Sequence, residues 1–161
     1  MEKNAIESAK TDARIKKLER LYSNLGINIG ESAEAYFFSA LSNRNSLCGI
    51  EYKHVDSFHR KTKQLEGQYD VVLFNGEKII VVEVKQKVHP TDIVDLIERK
   101  LPRFKILCPE FANKQIIGAI AGMVVPFDIK EEAEQKGLIV LTQLGNDVAI
   151  LNNPDFVPAI F

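Results

Sequence analysis

"QYDVVLFNGEKIIVVEVKQK", residues 68–87, decides the fold. Two runs of Val, Ile, Leu and Phe flank Asn75-Gly76, a dipeptide that tolerates positive φ and so suits the two-residue loop of a β-hairpin. With that loop, Phe74 faces Glu77, Asp70 faces Val81 and Gln68 faces Glu83. Side chains alternate along a strand and opposed residues share a face, so Asp70, Glu83 and Lys85 project together. Asp70 and Glu83 become diagonal neighbours, roughly 7–8 Å apart at Cα. The rest of both faces is apolar, which puts these charges at the rim of a covered sheet. Glu83 and Lys85 alone would read as a surface ion pair of little energetic weight. Convergence with Asp70 changes that, because two carboxylates at this separation can share one hard divalent cation.

A further carboxylate lies upstream. "GESAEAYFFSALSN" (30–43) has the composition and periodicity of a helix. Glu31 is a favourable first-turn charge. Glu34 shares a stripe with Phe37, Phe38 and Leu41, so it falls on the apolar side, where a carboxylate is costly without a partner. It is either an ion-pair partner, with Lys85 as the candidate, or a third acid facing the cation.

Around these two segments the chain reads as αβββαβαββ, a mixed β-sheet flanked by helices. "GIEYKHVDSF" (49–58) is the first strand, and residues 59–67 form a basic loop carrying His59, Arg60, Lys61 and Lys63. A helix opens at Pro90-Thr91 and should kink or end at Pro102. "QIIGAIAGMVV" is an apolar strand whose glycines imply close backbone packing. A short helix follows, with Asp128 as N-cap, Glu131 in the capping-box position and Gly137 as stop. Two strands joined through Gly145-Asn146 complete the sheet. Residues 1–26 hold an amphipathic helix with Ile15, Leu18, Tyr22 and Leu25 on one stripe. It packs on its own domain or pairs with a second copy as a homodimer, although the stripe covers few heptads. Residues 27–161 form one domain.

Composition bounds the partners. A chain of 161 residues, 45% apolar and 27% charged, has the length for a proper core. Its net charge of −1 provides no global field for a polyanion, so a nucleic-acid surface has to be a local patch. Cys48 and Cys108 have neither metal-site nor redox-motif spacing and read as reduced thiols. There is no signal-peptide pattern, and the longest apolar run, residues 116–125, is about half a bilayer span. A cytoplasmic protein with no membrane partner is the expectation.

A helical Glu, an Asp opening one strand and Glu-x-Lys ending its hairpin partner together resemble the PD-(D/E)XK nuclease superfamily, which includes restriction endonucleases and Holliday-junction resolvases. The resemblance covers roughly residues 27–125 and implies a restriction-endonuclease-like αβββαβ core, with the N-terminal helix and the last αββ as additions. It implies a metal-dependent endonuclease hydrolysing phosphodiester bonds, in DNA foremost, with Mg²⁺ as cofactor and Mn²⁺ able to substitute. Asp70, Glu83 and the carbonyl of Val84 would be metal ligands, Lys85 would orient or activate the attacking water, and Glu34 would be the outer acid. His59, Arg60, Lys61 and Lys63 become candidate backbone contacts, with a solvated loop an equal reading. Arg99, Lys100 and Arg103 read as an exposed face. Tyr69 replaces the Pro of the motif, and residues 92–101 lack the Gln that some relatives carry. The rival class is a non-catalytic module on the same fold, serving nucleic-acid binding or protein assembly.

Overall fold

A computed structural model describes residues 29–161; the expected N-terminal helix, and the dimer it could form, lie outside the described residues. Helix α1 (Ile29–Ser42) leads into a small hairpin, β1 (Ser46–Leu47) and β2 (Ile50–Glu51). Then come β3 (His54–Lys61), β4 (Glu66–Phe74) and β5 (Lys78–Lys87). A helical stretch follows, made of α2 (Pro90–Asp95), a π-helical turn (Leu96–Lys100) and α3 (Leu101–Leu107). After a 3₁₀ turn (Pro109–Phe111) the chain forms β6 (Gln115–Val124), α4 (Phe127–Gln135), β7 (Ile139–Leu144) and β8 (Asp147–Ile150).

The last six strands make one sheet in chain order, β3-β4-β5-β6-β7-β8. The β5–β6 and β6–β7 pairs are parallel, and the other three are antiparallel. Central β5 and β6 are covered on both faces, which is why they read as near-continuous apolar runs. One face takes α1, whose Phe37 and Leu41 pack on Val71, Leu73, Ile80 and Val82. The other takes α2, the π turn, α3 and α4, with Ile93, Leu96, Leu101 and Phe104 over Val72, Ile79, Val81 and Ile120. Among the described residues no helix is long and apolar enough to cross a membrane. Cys108 is a buried free thiol and Cys48 a half-buried one.

The glycines of β6 allow the close packing expected of them. A Cβ on Gly118 would lie 2.6 Å from Leu138 Cδ2 and 3.0 Å from Leu101 Cδ1. Gly118→Ala is therefore expected to destabilise the protein by about 1–3 kcal/mol, the scale of overpacking a filled core. A denaturant midpoint equal to the parent's would refute it.

Several boundaries differ from the sequence reading. The hairpin turn sits one residue further along than expected: Phe74 pairs with Ile79, and Asn75 N–H donates to the Lys78 carbonyl at 3.1 Å, so Gly76-Glu77 rather than Asn75-Gly76 are the central turn residues. Asn75 Oδ1 accepts from the backbone N–H groups of Glu77 (2.7 Å) and Lys78 (2.8 Å), so its side chain builds the displaced turn. The segment expected as one strand over 49–58 is split: Ile50–Glu51 belongs to the small hairpin, and β3 starts at His54. His59, Arg60 and Lys61 are strand residues paired with Gln68, Gly67 and Glu66, not loop residues. Helix α4 is capped two residues earlier than expected, with Pro126 as N-cap and Asp128 in the first turn.

Pro102 neither ends nor sharply breaks its helix. It lacks an N–H and crowds the preceding turn, and the chain widens there: Leu101 N–H bonds to Leu96 O, five residues back.

Candidate functional site: a fork in the sheet

Moving the turn by one residue shifts the hairpin register by two. A shift of two leaves each side chain on its expected face but changes its opposite number. The β4–β5 ladder runs from Phe74/Ile79 to Val71/Val82, so Val81 faces Val72 rather than Asp70, and Asp70 and Glu83 are the first residues beyond the ladder's end. Val84 directs its N–H toward β4, where Asp70 Oδ2 accepts it at 3.1 Å. The two acids thus flank the end of the ladder, near enough for the Asp70 charge to raise the Glu83 carboxyl.

Beyond this pair the sheet forks. Residues 66–69 of β4 stay paired with β3, while residues 83–87 of β5 pair only with β6. A bulge marks the branch: Asp56 pairs with Val72 and Phe58 with Tyr69, so Asp70 and Val71 together oppose the single residue Ser57. The extra residue breaks the alternation and turns Tyr69 onto the same face as Val72. It also leaves Val84 N–H without a ladder acceptor, and Asp70 Oδ2 takes that bond at 3.1 Å. In an extended strand the N–H and C=O of one residue point the same way, so the Val84 carbonyl also faces the fork.

Glu83 is buried, its side chain only 7% exposed. Burial pushes its carboxyl up to about 7, and the Asp70 carboxylate adds to the rise, while Lys100 and Lys85 oppose it. Lys100 Nζ donates to Glu83 Oε2 at 2.5 Å. Lys85 stands further off, 3.8 Å from Glu83 and 3.9 Å from Asp92. Tyr69 donates its hydroxyl to the Lys100 carbonyl at 3.0 Å and so ties the π turn to β4. Burial pushes that phenol up to about 12, which keeps it a donor.

Two clefts open on either side of β4. The first, about 540 Å³, is lined by Glu34, Phe38, Ser57, Gln68 and Asp70. Glu34 reaches it from α1, the layer opposite the one that covers Glu83 and Lys85. The second, about 470 Å³, is lined by Gln64, Glu66, Gln68, Lys100 and Arg103. Among the described residues no three acidic, histidine or cysteine side chains converge on one point as ion ligands.

The basic group of β3 is largely engaged. Arg60 forms an ion pair with Glu110, donates to the Leu107 carbonyl at 3.3 Å and stacks 5.0 Å over Phe58. His59 Nε2 lies 2.7 Å from Glu66 Oε1. Lys61 and Lys63 are exposed. On the helical stretch, Arg99 pairs with Asp95 and Arg103 donates to the Glu66 carbonyl. Lys100 is the functional candidate that the sequence reading set aside. Its signal was present: Lys100 follows Leu96 by four residues on the apolar stripe, the same anomaly that singled out Glu34.

No protein-family model matches this chain, and neither a curated protein nor a solved structure matches it.

Proposed function

We propose that this protein is a metal-dependent nuclease of the PD-(D/E)XK kind that hydrolyses phosphodiester bonds, in DNA foremost. The observation that carries the reading is the meeting of Asp70 and Glu83 at the mouth of the fork, with Lys85 two residues further on the same strand. The order of a helix, three antiparallel strands, a helical crossover and a parallel strand supports it, being the order of that superfamily's αβββαβ core.

The donor set fits the cofactor. Two carboxylates and the Val84 carbonyl are hard oxygen ligands, and Mg²⁺ characteristically binds through one or two carboxylates while keeping several waters. A bound Mg²⁺ or Mn²⁺ supplies polarisation of the phosphoryl oxygen and a water of lowered pKa. The protein's own side chains do the rest. Asp70 is held in the fork by Val84 N–H, Lys85 places an ammonium beside the developing negative charge, and Glu34 lines the cleft through which the backbone approaches. Cleavage of plasmid, single-stranded and branched DNA, with and without Mn²⁺, tests the reading. Cation-dependent cutting of any of them is the expected result.

The rival reading, a non-catalytic nucleic-acid-binding or assembly module, is favoured by one observation: Lys100 already satisfies one oxygen of Glu83. Failure of Mn²⁺ to bind through Asp70 and Glu83 would decide for it.

Lys61 and Lys63 of β3 and its turn are exposed and form no ion pair among the described residues, whereas Arg60 is neutralised by Glu110. Replacing both lysines by Ala should lower the log–log salt slope of DNA binding by up to about two units, close to one per phosphate contact. Arg60→Ala should change it little. An unchanged slope in the double variant would move the binding surface away from this hairpin.

A further inference from the structure

The Lys100 ammonium lies 2.5 Å from Glu83 Oε2, on a carboxylate that the nuclease reading assigns to a dication. We propose that Lys100 is a stand-in cation: it holds Glu83 in the cation-free protein and gives up that carboxylate when a divalent ion binds. The inference rests on the nuclease reading above and concerns how its site is kept ready. Lys100 is thus a positioning residue, acting through Glu83.

Three observations carry it. Glu83 is buried beside Asp70, and a buried carboxylate next to a second one requires a positive partner whenever it is ionised. Lys85 does not fill that role, since it stands 3.8 Å from Glu83 and divides its charge with Asp92 at 3.9 Å. The second observation is the backbone that aims Lys100. The π turn ahead of Pro102 rotates the helix face, and the Tyr69 hydroxyl pins the Lys100 carbonyl at 3.0 Å. Without the added residue in that turn, the side chain would project from a different side of the helix. The third is an exit. Lys100 also lines the second cleft, beside Gln64, Glu66 and Gln68, so a displaced ammonium has polar surroundings to enter. Its flexible four-carbon stem permits the move.

Competition between two cations for one carboxylate has a signature that a structural ion pair lacks. Lys100→Met keeps most of the apolar stem and removes the charge. In alkaline buffer without divalent ions this variant should melt below the parent. Calorimetric titration should show it binding Mn²⁺ about tenfold more tightly or better, a factor that corresponds to ~1.4 kcal/mol. Mn²⁺ should also raise its melting temperature by more than it raises the parent's. A variant that folds only when Mn²⁺ is present supports the proposal equally. One that stays unfolded with Mn²⁺ overturns it, and so does a folded variant with unchanged or weaker Mn²⁺ affinity while the parent binds through Asp70. If neither protein binds Mn²⁺, the nuclease reading falls and this inference with it.

Discussion

Asp70→Asn is expected to lose both cation binding and cleavage, whereas Lys85→Ala should keep the cation and cut about a hundredfold or more slowly, the scale of losing a positioned acid–base group. Asn is the informative replacement at position 70. Its amide oxygen can still accept the Val84 N–H bond that the bulge leaves to residue 70, so the fork keeps its shape while the ligand charge is lost. At position 85 the side chain is 38% exposed and no closer than 3.8 Å to an acid, so its removal costs little stability. Taking an ammonium from beside the ion should leave Mn²⁺ affinity equal or higher. Single-turnover cleavage and Mn²⁺ titration on both variants, with a thermal melt of each, separate ligand loss from unfolding. A folded Lys85→Ala protein that cuts at the parent's rate removes the main support for the nuclease proposal.

The second large effect is a pH dependence at Glu83. Its carboxyl is raised from an ordinary 4.5 to about 7 by burial, with Asp70 adding to the rise. A group whose folded pKa lies above its unfolded value binds its proton more tightly when folded. Its contribution to stability is therefore fully present below about 4.5 and is lost as the pH rises through about 7. At 1.36 kcal/mol per pKa unit the loss amounts to about 3 kcal/mol. Glu83→Gln has no proton to lose, so the stability of the parent relative to this variant should fall by that order between pH 4.5 and 7. A flat difference across the window would mean that Lys100 and Lys85 fully compensate the burial. The same proton opposes the cation: below about 7, Mn²⁺ affinity should drop close to tenfold per pH unit, because a ligand carboxyl must be ionised to bind.

Much of the candidate site is legible in the one-dimensional pattern, because the relevant periods are short. Alternation of two along β5 puts Glu83 and Lys85 on the same face whatever the turn, and a register shift of two leaves that face unchanged. The stripe of α1 marks Glu34 as a carboxylate among Phe37 and Leu41, and the unbroken apolar runs mark β5 and β6 as strands covered on both sides. None of these requires knowledge of a distant contact.

What depended on the folded chain was the closeness of the acids and the counter-ion they share. Asn75 folds its side chain back onto two backbone N–H groups, and that local choice shifts the register by two and brings Asp70 and Glu83 to the same end of the β4–β5 ladder. The bulge at Asp70-Val71 appears only once β3 pairs with β4, so the fork cannot be read from either strand alone. Pro102 signals a break in helical bonding, but whether the helix ends or widens is settled by packing. Leu96, Leu101 and Phe104 are all fully buried against the sheet, which favours a continuous helix, and the π turn lets Pro102 fit within it. Lys100 reaches Glu83 because of that turn. The pattern of apolar and polar residues thus determined which groups could share a surface, and long-range packing decided which of them touch.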